Sequence, residues 1–328
     1  MAGLRGNTGW VMAQRQTAAG TLATVAAPGV AAGAVKYALV GGGVAPVRNI
    51  AQLAETDANR DQGISYVAST EVQGSPQVYA RDDGIGQLLQ AVLGADAVTG
   101  TTPNYTHVIT PSNTIPYVSL WRDVADTLWE SFLDCKVSSL VIAATPGSPL
   151  TATATILGRQ PTRLVADPST SPAIPLDSGY VYNYNDATVT LSSGVTALVS
   201  QFSLTLDNTV VSQQTDNVIP IDVTEGLRKV SLSFDLIFST LAEYNNFNYG
   251  GSSGTAVSNQ IYTTSADFTF SHGANNSIEF ALPSIAYQTF PIDANAAGSP
   301  IVASVTAVGQ RSGSPIVTAT VKNQIQVY

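Results

Sequence analysis

The chain has 328 residues but only one cysteine, Cys135, so it can form no internal disulfide and nothing in it points to an oxidising compartment. Histidine is almost as scarce, with His107 and His272 the only imidazoles. A Cys-His pair is then the only nucleophilic constellation open to it. Cys135, set in "SFLDCKVSSLVI", reads instead as a small buried strand residue, with Asp134 and Lys136 turned to the opposite face because strand side chains alternate. Charge is a third shortage: 11% of residues are charged, against ~25% in ordinary soluble proteins. A surface of Ser, Thr, Asn, Gln, Ala and Gly is expected to hide partly against copies of itself. The balance is acidic, net −9, which argues against tight binding of phosphate backbones but not against a surface that DNA slides past.

Long apolar runs are missing too. The nearest, "AAGTLATVAAPGVAAGAV" from Ala18 to Val35, is uncharged, but Gly20, Pro28, Gly29 and Gly33 break it, so it reads as an arm or loop and no membrane partner is expected. Ligand motifs are incomplete. "DANRDQG" sets Asp57, Asn59 and Asp61 at alternate places as a calcium loop does, yet Gln62 and Ala68 occupy the positions that need glycine and a bidentate acid. "VGGGVAP" at Val40–Pro46 lacks the Lys-Ser/Thr of a phosphate loop, and "DDGIGQLL" lacks a third glycine. The acid pairs Asp82/Asp83 and Asp222/Glu225 show no aromatic-lined groove. "YVYNYN" at Tyr180–Asn185 reads as sheet packing rather than a sugar or base platform. No cofactor, metal or catalytic centre is expected.

What is abundant is β pattern. Up to Val67 no period of 2 or 3.6 is sustained, which predicts an extended arm and long loops. In "RDDGIGQLLQAVLGA", Ile85, Leu88, Leu89, Val92 and Leu93 share one helical face, with Asp82 or Asp83 as N-cap and Gly94 as terminator. From Thr106 onward, short Val/Ile/Thr/Tyr/Phe runs alternate with turns. "LTATATIL" sets Thr151, Thr153 and Thr155 against an apolar face, and "VSLSFDLIF" does the same with Ser231, Ser233 and Asp235. "WRDVADTLWESFLDC" reads as two strands turning near Ala125 and Asp126. "VSSLVIAATPG" from Val137 and "VSQFSLTLDNT" from Val199 echo each other, as a doubled hairpin unit would. "NYGGSSGTAVSN" from Asn248 reads as flexible surface. The fold class is mainly β, an antiparallel β-sandwich or half-barrel with one flanking α-helix. One domain over 1–328 is expected: arm and long loop 1–67, a β/helix half 68–160, a Pro/Ser-rich connector 161–187 and a second β half 188–328.

The order of these pieces resembles a known family. The extended arm, "RDDGIGQLLQAVLGA", "HVITPSNTIPYVSL" at His107–Leu120, "SFLDCKVSSLVI" with "LTATATILGRQ", "VSQFSLTLDN" with "LRKVSLSFDLIF", and the closing "SPIVTATVKNQIQVY" together look like a major tail tube protein of long, non-contractile-tailed bacteriophages, over roughly Gly3 to Tyr328. That resemblance implies six copies in a ring and rings stacked into a β-lined tube. It implies a tape-measure protein and then DNA in the lumen, terminator and tip proteins at the ends, and residence in the virion tail after synthesis in the bacterial cytoplasm. Acids on the lumen would repel phosphate. The candidate lumen face is Thr151, Thr153, Thr155, Ser231, Ser233 and Asp235. The loop Val40–Val67 and the arm before it are the candidate ring-to-ring contacts, so deleting Ala18–Gly43 should leave a folded monomer that cannot polymerise. Competing readings are a contractile-tail inner tube, a tail terminator, a decoration protein or an extracellular carbohydrate-binding β-sandwich.

Overall fold

Strands with one apolar and one polar face need a partner layer on one side only, and here two such layers meet. The structure, a computed structural model, describes residues 9–27, 32–54, 61, 63–191, 195–196, 198–237, 241–292 and 301–328. In chain order it runs β1 (Trp10–Arg15), β2 (Val35–Ala38), β3 (Val44–Gln52), β4 (Ser65–Gly74), β5 (Gln77–Tyr79), α1 (Ile85–Leu93), β6 (Gly94–Thr101), β7 (Asn104–Pro111), β8 (Val118–Val124) and β9 (Leu128–Ala144). It continues with β10 (Thr151–Gly158), β11 (Gln160–Leu164), β12 (Ala187–Leu191), β13 (Val195–Thr196), β14 (Val199–Asp207), β15 (Val211–Gln213) and β16 (Asp222–Thr224). The last elements are β17 (Lys229–Ile237), α2 (Ala242–Tyr249), β18 (Thr263–His272), β19 (Asn276–Thr289), β20 (Val302–Gly309) and β21 (Thr318–Asn323).

The first layer is β3–β4–β10–β9–β14–β17–β20, with β5 continuing β4 along β10. The second is β6–β7–β21–β19–β18–β12. The last residues of β19 also pair with β20, so the layers join on one side and the barrel stays open. Between them Phe202 and Phe234 of the first layer meet Phe268 of the second at 4.5 and 6.2 Å. Helix α1 packs against β9, β6 and β7. The first half of β9 also joins a smaller sheet, β2–β1–β8–β9–β11. The architecture is the expected mainly antiparallel β-sandwich with α1 beside it. The echoing segments are β9 and β14, paired centre to centre, each carrying its hairpin partner, β10 or β17, on its far side.

Some expectations need correcting. Before Val67, where an arm and loops are predicted, lie β1, β2, β3 and the start of β4. Strand β1 sits between β2 and β8 with every residue but Arg15 buried, so no alternation marks it in the sequence. This stretch also covers α1: Gln87 Nε2 donates to Gly33 O at 3.1 Å and Tyr37 Oη donates to Gln87 Oε1 at 3.0 Å, leaving the helix buried on all sides. Neither Asp82 nor Asp83 caps α1. Gly84 holds that position without a side-chain bond, because the Asp82 carboxylate instead accepts from Asn276 Nδ2 at 2.9 Å. Gly94 does end the helix, with φ of 108°. A second helix, α2, opens the loop read as flexible surface. The turn at Ala125 and Asp126 is as expected: both have positive φ, and Thr127 N donates back to Val124 O at 3.2 Å, closing a three-residue loop between the paired Val124 and Leu128.

Candidate functional site

Register decides which side chains share a face. Across the first layer Thr151 stands opposite Ala143, then Ser203, Ser233 and Thr306 follow in the same row. Beside it run Thr153, Val141, Thr205, Ser231 and Val308. Thr155, Ser139, Asp207 and Lys229 make a third row, and Gln201, Asp235 and Ser304 a fourth. The six candidates Thr151, Thr153, Thr155, Ser231, Ser233 and Asp235 therefore lie on one face of one sheet. They are half-buried or exposed, while the alternate residues, among them Ala152, Leu140, Leu204, Leu232 and Val305, form the core. Sequence reasoning missed Ser203, Thr205, Ser304 and Thr306, although "SLTLD" and "ASVTAV" carry the same alternation. Charge on these rows is sparse: Asp207 opposite Lys229, and Asp235. The remaining side chains of these rows are mainly hydroxyls, with Ala143, Val141 and Val308 set among them.

The β3–β4 hairpin runs past the end of β10, which pairs β4 only at Val72–Gly74. Beyond that point, seven residues of β4 reach about 20 Å further at the usual strand rise. Ile50, Ile64 and Tyr66 on or beside it are 65%, 79% and 51% exposed. Ile64 and Tyr66 share one face of the hairpin, and Ile50, opposite Val67, is on the other; large apolar side chains left exposed on both faces of a projecting hairpin mark a contact surface. The outer edge of β3 has no strand partner among the described residues. Most of "DANRDQG" lies outside the described residues.

Residues 6–321 match the family described as phage tail tube protein. The chain belongs to that family. No curated protein matches it by sequence. A phage tail tube protein is a structural component of the virion tail that assembles with copies of itself. No helix of the described residues is long and apolar enough to cross a membrane.

In this tail tube protein the Asp134-Cys135-Lys136 stretch is a hinge between sheets. Asp134 has φ of 52°, a left-handed conformation rare for a residue with a side chain, and it breaks the alternation of β9 where the strand leaves the small sheet for the first layer. All three side chains are consequently buried, which corrects the expectation that the charged pair faces outward. Asp134 accepts from Arg159 Nη1 at 2.7 Å and from Gly20 N at 2.8 Å. Lys136 pairs with Glu225 under the Tyr117 ring, 4.3 Å away. Burial, and then the Asp134 charge, push the Cys135 thiol well up, so it is no nucleophile. Gly158 faces it because a Cβ there would come within 2.4 Å of the sulfur. His107 is spent on Asp96 and Ile325, and Tyr182 of "YVYNYN" is fully buried. Among the described residues no three metal-ligating side chains converge.

Beside α1 a hollow of about 370 Å³ is bordered by Lys36, Asp83, Leu176 and Asp177. Burial, followed by the charges of Asp82 and Asp177, raises the Asp83 carboxyl to about 6. A carboxyl raised on folding is ionised at a cost at pH 7, and that cost is relieved as pH falls through about 6. Asp83→Asn should raise the unfolding free energy at pH 7 by about 1 to 2 kcal/mol, the shift being discounted for water at a half-buried group. It should also flatten the pH dependence of stability between pH ~4 and ~6, the interval between the ordinary carboxyl value and the raised one, as urea unfolding at several pH values will read out.

Proposed function

We propose that this protein builds the tube of a long, non-contractile phage tail: six copies close into a ring, rings stack, and the hydroxyl face of β10, β9, β14, β17 and β20 lines the lumen through which DNA passes. The observation that carries this reading is the continuity of that face over five strands with one lysine, itself opposite Asp207. Phosphate adheres to proteins by displacing counterions at Lys and Arg, so a hydroxyl wall with almost no free cation lets DNA move without being held. The same bore would hold a tape-measure protein before DNA enters, with terminator and tip proteins at its ends, assembly following synthesis in the host cytoplasm. The apolar β3–β4 hairpin and the open β3 edge supply contacts between subunits and between rings, the head-to-tail arrangement that grows without limit.

Because the only native thiol is fully buried, engineered cysteines can report position. Ser233→Cys in assembled tubes should react with a small maleimide and resist one carrying a ~5 kDa polymer, whereas Val257→Cys, at an 86% exposed site, should react with both. Full reactivity of Ser233→Cys toward the bulky reagent would place the face on the outer wall. Protection from both reagents would place it in the seam between subunits.

A further inference from the structure

The second layer holds a buried histidine whose two ring nitrogens both face acceptors. His107, on β7, is 0% exposed; its Nδ1 lies 2.9 Å from Asp96 Oδ2 on β6 and its Nε2 lies 2.7 Å from the carbonyl oxygen of Ile325. A neutral imidazole has a single N–H and can serve only one of them. With the carboxylate ionised, both bonds require a second ring proton; alternatively, the proton sits on Asp96. Either way the His107–Asp96 pair holds one proton more than a neutral ring beside a carboxylate, and losing it turns a lone pair toward an oxygen in a site without water access. The other Asp96 oxygen, Oδ1, is buried with no hydrogen-bond partner, so nothing else compensates the carboxylate there.

What hangs on this proton is the segment after β21. Gln324 is exposed and Ile325, Gln326 and Val327 are half-buried, yet Tyr328 is 1% exposed. Its ring lies tilted by 44° against His107 at 4.4 Å between centroids and fills the notch over α1 that Gly86 leaves open, since a Cβ at Gly86 would come within 2.1 Å of it. Asn323 Nδ2 donates to Tyr328 Oη and to Asp82 O, the latter at 2.7 Å. We infer that residues 325–328 form a proton-held latch: shut over α1 while the His107–Asp96 pair carries its extra proton, and loosened when that proton leaves.

Other titratable groups near the latch are few. Helix α1 has none, and Lys322 on β21 is exposed. Tyr105, two residues before His107, bonds to Thr102. Tyr328 feels Asp96, Asp83 and Tyr182, and its own phenol, raised far above the ordinary value mainly by burial, stays neutral throughout. Asp83, at about 6, titrates in the histidine range, and Asp82 and Asp177, the latter across the hollow that Ile325 and Lys36 border, are also raised by burial, so these carboxyls must be controlled for.

The test is hydrogen exchange of the peptide covering 325–328 in the full chain from pH ~5 to ~9, corrected for intrinsic rates, with histidine-selective ¹⁵N labelling to follow ring protons. With only two histidines the spectrum assigns itself. Protection should fall about tenfold or more with rising pH, in step with loss of the second His107 ring proton. Asp96→Asn replaces the carboxylate by an amide that can donate to Nδ1 while the neutral ring donates to Ile325, so protection should become independent of pH. Asp83→Asn should leave the wild-type pH dependence in place. Flat protection in the wild type, an unchanged pH dependence in Asp96→Asn, or its disappearance in Asp83→Asn would each overturn the latch.

Discussion

Changing Ile50 and Ile64 to glutamate together is expected to abolish tubes at concentrations where the wild type polymerises. The monomer should keep its stability within about 0.5 kcal/mol, as surface substitutions do. Both side chains are largely exposed on the projecting hairpin, so they contribute little to the subunit's own core. If each is buried at a subunit contact, it supplies about 1.5 to 3 kcal/mol there, and loss of both raises the critical concentration by roughly 10²- to 10⁴-fold, before counting the charges introduced. Sedimentation at graded concentrations, with a urea melt of the monomer, separates failed contact from failed folding. The deletion of Ala18–Gly43 that the sequence suggests cannot make that distinction. It removes β2 and buried Tyr37, and it strips Gln14 Nε2 of its bonds to Thr24 O and Ala32 O at 3.1 and 3.0 Å. Such a truncation is expected to unfold rather than remain a competent monomer.

The largest effect on the subunit itself is expected from Glu225→Ala. It leaves the Lys136 ammonium, whose side chain is 5% exposed, with the Tyr117 ring but no counter-charge. Breaking a buried pair from one side costs about 3 kcal/mol, at the low end of the usual range because Glu225 is 18% exposed and water can partly replace it. A Lys136→Met, Glu225→Leu double variant should recover most of the loss, since an apolar pair of similar volume has no charge to desolvate. The pH dependence carries a sign. Burial alone would raise the Glu225 carboxyl, but the Lys136 hydrogen bond and charge, with backbone N–H groups, outweigh it and hold the carboxyl below its ordinary value. A depressed carboxyl contributes stability that is present above its unfolded value and is lost as pH falls through its folded one. Wild-type stability should therefore decline on the acid side by more than that of the double variant, which lacks this step. Equal stability of Glu225→Ala and wild type in urea melts would show that the pair is solvated and idle.

Features written in local pattern were legible in the sequence. The strict alternation of β10 and β17, the apolar stripe of α1 ending at Gly94, and the turn at Ala125–Asp126 each follow from spacing or backbone conformation over a few residues. What depends on partners was not. β1 runs Trp10 to Ala13 without a polar break because it is buried on both faces, and β3 contains Pro46 and is exposed along much of its length. Helix α2 has one buried residue, Asn246, and no stripe to announce it. Asp134 looked like an outward-facing strand residue because a single left-handed φ leaves no trace in composition. The six polar candidates could be named from alternation within two strands. That they share one face was settled by the ladders through β9 and β14, whose register a single sequence does not carry.

Electron microscopy of the purified protein over a concentration series tests the tail tube assignment most directly. Hollow polymers of uniform diameter, lengthening as concentration rises and absent in the Ile50→Glu, Ile64→Glu variant, are the expected result. A folded wild-type protein that stays a single small particle at every concentration, or that closes into isolated rings which never stack, would contradict it.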